Sequence, residues 1–178
     1  MAVKRWLEST TRFSVLWDVY GAFQQTSVQL LDGRARSYDL AGHLVDSDGQ
    51  ALRHFYAEVK NYRSASGQYA LYQEFLAVSY STTCRNITAD LDPGTEFMWV
   101  TWHPFSQRRF LHLHEPNEIR DACARFSHLL GGEAFRPEVA QTLSARLWLL
   151  VANRRQSEME MSRAFLGEVR KLTTMELS

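Results

Sequence analysis

One stretch, residues 38–61, constrains the fold of this chain more than any other. It reads YDLAGHLVDSDGQALRHFYAEVKN, in which two apolar segments, 38–45 and 54–60, flank a polar turn at 46–49. The turn contains an Asp-Gly pair, which favours reversal of the chain. The pattern therefore predicts two strands paired as a hairpin.

Three charged residues are expected to meet at one end of this hairpin. Side chains on a strand alternate between its two faces, so Glu58 and Lys60 point the same way and Val59 points into the opposite layer. Pairing of the two strands brings Asp39 to the same corner as Glu58. Charges on otherwise apolar strands are costly to bury unless they are paired or bind a metal. The corner is therefore a candidate functional site.

The lysine in this cluster is unusual for this chain. The sequence contains seventeen arginines and only three lysines, at positions 4, 60 and 171. A composition that favours arginine so strongly would more often place arginine at a merely solvated position. Lysine is a compact point charge whose pKa shifts readily, so its presence at position 60 favours a chemical role over the alternative, a surface hairpin with a solvated Glu58 and Lys60.

Two carboxylates indicate a hard divalent cation. Mg²⁺ takes oxygen ligands and keeps several waters, and the backbone carbonyl of Val59 can add one more ligand to Asp39 and Glu58. A metal beside a lysine can orient and activate water for attack on a phosphodiester.

This arrangement resembles the PD-(D/E)xK nuclease superfamily. The resemblance consists of Asp39, then Glu58-x-Lys60 at the end of the next strand, then a helix that carries Gln68 and Tyr72. It covers roughly residues 1–115. The chain has Tyr38 where the family usually has proline before its first aspartate.

The resemblance implies a role for each of these residues. Asp39 and Glu58, with the Val59 carbonyl, would hold Mg²⁺ or Mn²⁺, and Lys60 would position the attacking water and stabilise charge on the phosphate. Gln68 would assist catalysis. A first helix often contributes another acid in this family, for which Glu8 and Asp18 are the candidates.

Four further residues are expected to contact nucleic acid. Two arginines precede the first aspartate, one lies in the loop 61–67 beside the site, and a tyrosine shares the helix face of Gln68. These residues are Arg34, Arg36, Arg63 and Tyr72.

The predicted fold is α/β, with a restriction-endonuclease-like core of element order α-β-β-β-α-β and a central mixed sheet of four or five strands flanked by helices. Apolar periodicity predicts the elements of residues 1–115. These are a helix over 3–25, strands over 26–31, 38–45 and 54–60, a helix over 67–80, and strands over 96–102 and 110–114.

Residues 116–178 are predicted to form a helical extension. Helices are expected to about residue 130, from Pro137 through about residue 155, and over 157–172. The extension either packs on the core or forms a dimer or partner interface.

Bulk properties narrow the function classes. The net charge is zero, so the chain is not a generally basic nucleic-acid coat, and we expect a dimer or a second subunit to strengthen its grip on a substrate. No apolar run reaches the length of a membrane span, and the sequence predicts a cytoplasmic protein without membrane contact.

A zinc site from His103, His112 and His114 is an alternative that no ligand spacing compels.

The sequence thus predicts a metal-dependent nuclease that cuts DNA, with RNA not excluded, in defence against foreign DNA or in repair. One alternative is an inactive nuclease-like module that binds nucleic acid or a partner protein. Another is a protein-interaction module built around the helical third, which would bind no metal.

Overall fold

A computed structural model of the chain describes residues 2–46, 48–61 and 67–153, together with residues 155, 162, 164, 165, 167 and 168. The chain has a mixed α/β fold, in which a five-stranded sheet has the order β1-β4-β5-β6-β7. Strands β1, β4 and β5 pair antiparallel, whereas β5, β6 and β7 run parallel. A small hairpin, β2-β3, stands apart from this sheet. The prediction of a mixed central sheet flanked by helices is confirmed.

The described helices and strands follow one another along the chain with short connections. Their bounds are α1 Ala2–Thr10, β1 Phe13–Asp18, β2 Ser27–Gln29, β3 Ala35–Ser37, β4 Leu40–Val45, β5 Ala51–Lys60, α2 Gln68–Thr88, β6 Glu96–Thr101, α3 Pro116–Arg125, α4 Pro137–Ser144 and β7 Leu147–Val151. Two 3-10 helices, Gln107–His112 and Ser127–Leu130, precede and follow α3.

The two faces of the sheet bury two separate cores. On one face, Leu7 of α1 packs with Phe55 and Val100 of the sheet. On the other face, α2, α3 and α4 cover a larger, aromatic-rich core that includes Tyr72 and Trp99. Alternation along β5 produces this division, because Phe55 and Ala57 face α1 while Tyr56 faces α2.

The predicted hairpin is present as β4 and β5, with Leu40 opposite Ala57 and His43 opposite His54. A bulge in β1 between Val15 and Trp17 brings that strand close to β4 at Gly42. A Cβ on Gly42 would lie 2.0 Å from the Ser14 carbonyl oxygen, so this position requires glycine.

The predicted helix over 3–25 is wrong. The helix ends at Thr10, and residues 13–18 form β1, an edge strand of the sheet. Phe13 and Val15 are buried at the spacing of two that a strand requires, whereas the spacings of three and four among the other aromatic residues also fit a helix. Pairing with β4 decides between the two patterns.

Two predictions for the later chain are also wrong. Residues 107–112 form a 3-10 helix where a strand over 110–114 was expected. The helix that begins at Pro137 ends at Ser144, and Leu147–Val151 then becomes the fifth strand, parallel to β6. A run of five apolar residues suits either a buried helix or a buried strand, and the neighbouring strand β6 selects the latter. The predicted helix over 157–172 lies mostly outside the described residues.

Helices α3 and α4 complete the same core as α2. Ile119 of α3 and Leu143 of α4 are fully buried in the aromatic-rich cluster with Tyr72. Helix α2 itself extends to Thr88, well past the predicted end at residue 80. None of the helices in the described part of the chain is both long and apolar enough to cross a membrane.

Candidate active site

Asp39 lies at a bend immediately before β4. Its neighbours Tyr38 and Leu40 are both buried but belong to different cores, Tyr38 on the α2 side and Leu40 on the α1 side. In a regular strand, residues two apart share a face. The chain therefore turns at Asp39, which leaves this carboxylate at the start of β4, beside the end of β5.

The Asp39 carboxylate is fixed by the neighbouring strand. The backbone N–H of Val59 donates a hydrogen bond of 2.7 Å to Oδ2 of Asp39. Hydrogen bonds from a backbone N–H to an ionised carboxylate are stronger than neutral ones. This contact holds Asp39 beside β5 at the level of Glu58 and Lys60.

Glu58 and Lys60 form an ion pair on the α2 side of β5. Both line a cleft of about 210 Å³ between β3, β5 and α2. Val59, between them, faces the α1 side. The Lys60 ammonium also lies 5.9 Å from the centre of the Trp99 ring, a distance at which a cation is attracted to an aromatic face. The expected alternation of these three residues is present.

The site lies where the parallel strands end. Lys60 is the last residue of β5 and pairs with Thr101, the last residue of β6. In open α/β sheets, ligands bind in the crevice outside the carboxyl ends of such strands. Glu58, Lys60 and the Asp39 bend all meet at this edge.

The environment of Glu58 disfavours its charged form. Burial raises the pKa of the Glu58 carboxyl above its ordinary value of 4.5, the Lys60 ammonium opposes the rise, and the negative charge of Asp39 adds to it. A carboxylate that is costly to ionise beside a second carboxylate gains from any added positive charge. The two acids are thus close enough for the negative charge of Asp39 to raise the pKa of Glu58.

Asp39 and Glu58 could hold a divalent metal ion, but they would give it few side-chain ligands. Across the part of the chain that the structure describes, no three His, Cys, Asp or Glu side chains gather around one point. A metal between Asp39 and Glu58 would rely on a backbone carbonyl, such as that of Val59, and on water for its other ligands. Mg²⁺ characteristically binds proteins in this way, through one or two carboxylates.

Two helix residues predicted for the site are buried. Gln68 is fully buried at the start of α2, where its Oε1 accepts a 2.7 Å hydrogen bond from the Thr101 hydroxyl. Tyr72 is 1% exposed, and its hydroxyl donates to the Leu113 carbonyl oxygen at 2.9 Å. Gln68 thus links α2 to the end of β6, and Tyr72 does not present its ring to the surface in this conformation.

The predicted basic residues occupy different positions. Arg36 lines the cleft and pairs with Glu74 of α2. Arg34 is exposed and pairs with Asp32 at 2.6 Å, which lowers the pKa of that aspartate. Arg63 lies outside the described residues. Of the two predicted arginines that the structure describes, Arg36 therefore lies at the cleft and Arg34 does not line it.

Neither of the two candidate additional acids lines the cleft. Glu8 is on α1, which covers the opposite face of the sheet. Asp18 ends β1, and its Oδ1 accepts hydrogen bonds from the backbone N–H groups of Tyr20 and Gly21. Asp18 therefore organises the turn that follows β1.

Sequence reasoning did not identify Glu74 or Thr101 as part of this region. Glu74 lies on the cleft-facing side of α2, six residues after Gln68, where helical spacing alone does not distinguish it from a solvated charge. Thr101 contacts Gln68 only because β6 ends beside β5. Both contacts join residues more than thirty positions apart, so no local pattern signals them.

Comparisons with known proteins give no family. No family model matches the chain, and no curated protein matches it. Among solved structures, one similar chain is the Moraxella osloensis Cap4 SAVED/CARF-domain containing receptor, with 14% sequence identity and a TM-score of 0.37. The match covers 95% of this chain and 34% of the receptor, so the chain spans about a third of that protein's length.

Proposed function

We propose that this chain is a divalent-metal-dependent nuclease of the PD-(D/E)xK type that hydrolyses phosphodiester bonds in DNA. The observation that carries the proposal is the contact between Asp39 and β5. The Val59 N–H holds the Asp39 carboxylate beside Glu58 and Lys60 at the ends of the parallel strands. A restriction-endonuclease-like arrangement of the core belongs to the same proposal.

The charge of the cleft supports a requirement for metal. Four charged side chains line it, and the two cations are paired with the two acids, Lys60 with Glu58 and Arg36 with Glu74. Their charges cancel, so the cleft has no surplus positive charge for a phosphodiester. A divalent cation on Asp39 and Glu58 would provide that surplus and polarise the phosphate as a Lewis acid.

The residues of the chain then have separate tasks. Asp39 and Glu58 hold the ion, and the hydrogen bond from Val59 keeps Asp39 oriented. Lys60 orients the attacking water and stabilises negative charge that develops on the phosphate oxygens. Arg36 binds a neighbouring phosphate once it separates from Glu74, because arginine matches phosphate geometry well.

A small neutral chain needs additional affinity for DNA, which a homodimer or a partner subunit would supply. Defence against foreign DNA and DNA repair are the roles in which a nuclease of this kind would act.

The test is cleavage of plasmid, linear duplex and single-stranded DNA, and of RNA, with Mg²⁺ or Mn²⁺. We expect metal-dependent cutting that falls by about 100-fold or more in Lys60→Ala and in Asp39→Ala, a loss typical of removing a group that stabilises the transition state. Arg120→Ala, at an exposed arginine of α3 paired with Asp121, is the control for loss of one positive charge and should cut normally.

Three outcomes are informative. Cutting of RNA alone would reassign the substrate. Nucleic-acid binding without cutting by the wild-type chain would favour the alternative, an inactive nuclease-like module. Cutting that Lys60→Ala and Asp39→Ala leave unchanged would contradict the assignment of the site.

A further inference from the structure

Two of the most exposed aromatic side chains in the described structure lie close together in sequence. Tyr20 is 87% exposed and Phe23 is 60% exposed, both in the turn over residues 19–26 between β1 and β2. Aromatic side chains carry a large apolar surface whose exposure is unfavourable. Together they give this short turn an exposed aromatic surface.

The turn is held in place by its own hydrogen bonds. Oδ1 of Asp18 accepts from the N–H groups of Tyr20 at 3.1 Å and Gly21 at 2.9 Å. The Ser27 hydroxyl donates to the Phe23 carbonyl oxygen at 2.6 Å. The backbone that carries both rings is therefore fixed, and a ligand would not have to order it.

Both ends of the turn are attached to the wall of the candidate site. At one end, the Val19 N–H donates to the Asp39 carbonyl oxygen at 3.1 Å. At the other end, the Tyr38 N–H donates to the Thr26 carbonyl oxygen at 2.9 Å. Tyr38 lines the cleft, and Asp39 is the predicted metal ligand. The turn is thus fastened to the two residues beside which a phosphodiester would be cut.

The composition of the turn suits the bases of a nucleic acid better than its phosphates. Residues 19–26 read VYGAFQQT and contain no charged side chain. The two aromatic rings are accompanied by the exposed amides of Gln24 and Gln25. Each nucleobase has an aromatic face that can stack on a ring and polar edges that amides can hydrogen-bond.

We propose that Tyr20 and Phe23 form a stacking platform for unpaired nucleobases of the strand whose phosphates enter the cleft. This inference rests on the proposed function and refines its substrate. Bases in a duplex are already stacked on one another, so the platform favours single-stranded segments, frayed ends or flaps. The cleft binds the phosphates of the nucleic acid, and the turn binds the adjacent bases.

The test is the binding of labelled oligonucleotides by fluorescence anisotropy, with Ca²⁺ in place of Mg²⁺. The substrates are a single strand of DNA, the same strand of RNA, the DNA duplex, and a strand of equal length with abasic sites. We expect the Tyr20→Ala and Phe23→Ala variants each to bind the single strands roughly five- to a hundredfold more weakly. Duplex and abasic binding should change little.

Two variants make the result specific. Tyr20→Trp keeps a stacking ring and should retain single-strand affinity, with tryptophan fluorescence that the bases quench. Leu91→Ala removes another highly exposed apolar side chain, in the connection that precedes β6, at the other end of the sheet from the cleft. Its binding should equal that of the wild type.

The outcomes separate this inference from the proposed function. If the alanine variants bind single strands as the wild type does while metal-dependent cutting persists, the platform is excluded and the nuclease stands. If the wild-type chain neither binds nor cuts any of these nucleic acids, both fail. If the alanine variants instead abolish self-association in sedimentation and leave base binding unchanged, the aromatic pair belongs to a dimer contact and the platform is overturned.

Discussion

The Val59 N–H donates a 2.7 Å hydrogen bond to Oδ2 of Asp39 and thereby joins the start of β4 to the end of β5 at the candidate site. The bond joins residues twenty positions apart and lies next to Glu58 and Lys60. It fixes a carboxylate at a bend, where alternation along a strand would not have determined its direction.

Neutralising Glu74 should strengthen binding of nucleic acid. Glu74 pairs with Arg36 in the cleft, so Glu74→Gln removes one negative charge and leaves the guanidinium for a phosphate. We expect affinity for an oligonucleotide to rise severalfold at low salt and the gain to shrink as salt increases. Anisotropy titrations over a series of salt concentrations measure this.

A suitable control is Asp121→Asn, which removes an acid paired with the exposed Arg120 on α3. Equal gains in Glu74→Gln and Asp121→Asn would show that overall charge alone governs binding, which would contradict a specific role for Arg36.

Glu58 makes stability depend on pH in a predictable direction. Because burial raises the pKa of Glu58, the folded state binds its proton more tightly than the unfolded state does. Ionised Glu58 therefore destabilises the fold above the raised pKa, and the penalty disappears as the pH falls through that pKa toward the ordinary value of 4.5.

Glu58→Gln should accordingly be more stable than the wild type at pH 7–8, with a higher Tm. The advantage should shrink as the pH falls through the raised pKa. Thermal melts at several pH values test the sign, with the exposed Glu133→Gln as the control for loss of one carboxylate. A Tm for Glu58→Gln below that of the wild type at neutral pH would mean that its contact with Lys60 outweighs the cost of burial.

Gly42→Ala should destabilise the sheet strongly. The added methyl group would lie 2.0 Å from the Ser14 carbonyl oxygen and 3.0 Å from the Leu16 backbone nitrogen, so β1 and β4 must separate. Overpacking of this kind costs about 1–3 kcal/mol, which urea unfolding would detect. Gly33→Ala is the control without a steric clash, because nothing lies within 4 Å of a Cβ at that position. The positive φ of Gly33 adds backbone strain of its own.

Thr101→Val tests the buried link between β6 and α2. The change keeps the shape of the side chain but removes the hydroxyl that donates to Gln68 Oε1 at 2.7 Å and accepts from the His103 N–H at 3.3 Å. Loss of a donor to a buried acceptor costs about 1–3 kcal/mol. Denaturant unfolding gives the free energy, and Thr142→Val, which removes a hydroxyl near the surface of α4 that donates to the Glu138 carbonyl oxygen, should cost less. Similar losses at both positions would argue against a structural role for the Gln68 contact.

The candidate corner could be predicted because its signal is local. Two strands joined by an Asp-Gly turn fix the register between Asp39 and Glu58, and alternation along one strand fixes the directions of Glu58 and Lys60. The hydrogen bond at Val59 could not be predicted, because it depends on the bend at Asp39 that sends Tyr38 and Leu40 to opposite cores.

The edges of the sheet were harder to predict for a physical reason. Phe13–Asp18 and Leu147–Val151 are short apolar segments whose residue spacing suits a helix as well as a strand. Pairing with β4 and β6 supplies the backbone hydrogen bonds that make both segments strands. Helix α2 shows the reverse effect, since Ser81, Thr82 and Thr83 are buried and continue the helix where their intrinsic preference is weak.

The account depends most directly on a cation site at Asp39 and Glu58, which calorimetric titration of Mn²⁺ into the wild-type chain and Asp39→Asn tests. Asparagine keeps an oxygen that can accept from the Val59 N–H but removes the charge, so the fold should survive while metal affinity falls. We predict binding to the wild type that weakens at least tenfold in Asp39→Asn, with Tm little changed. Absence of Mn²⁺ binding by the folded wild type, or equal binding by Asp39→Asn, would contradict the nuclease assignment and favour a protein-interaction module.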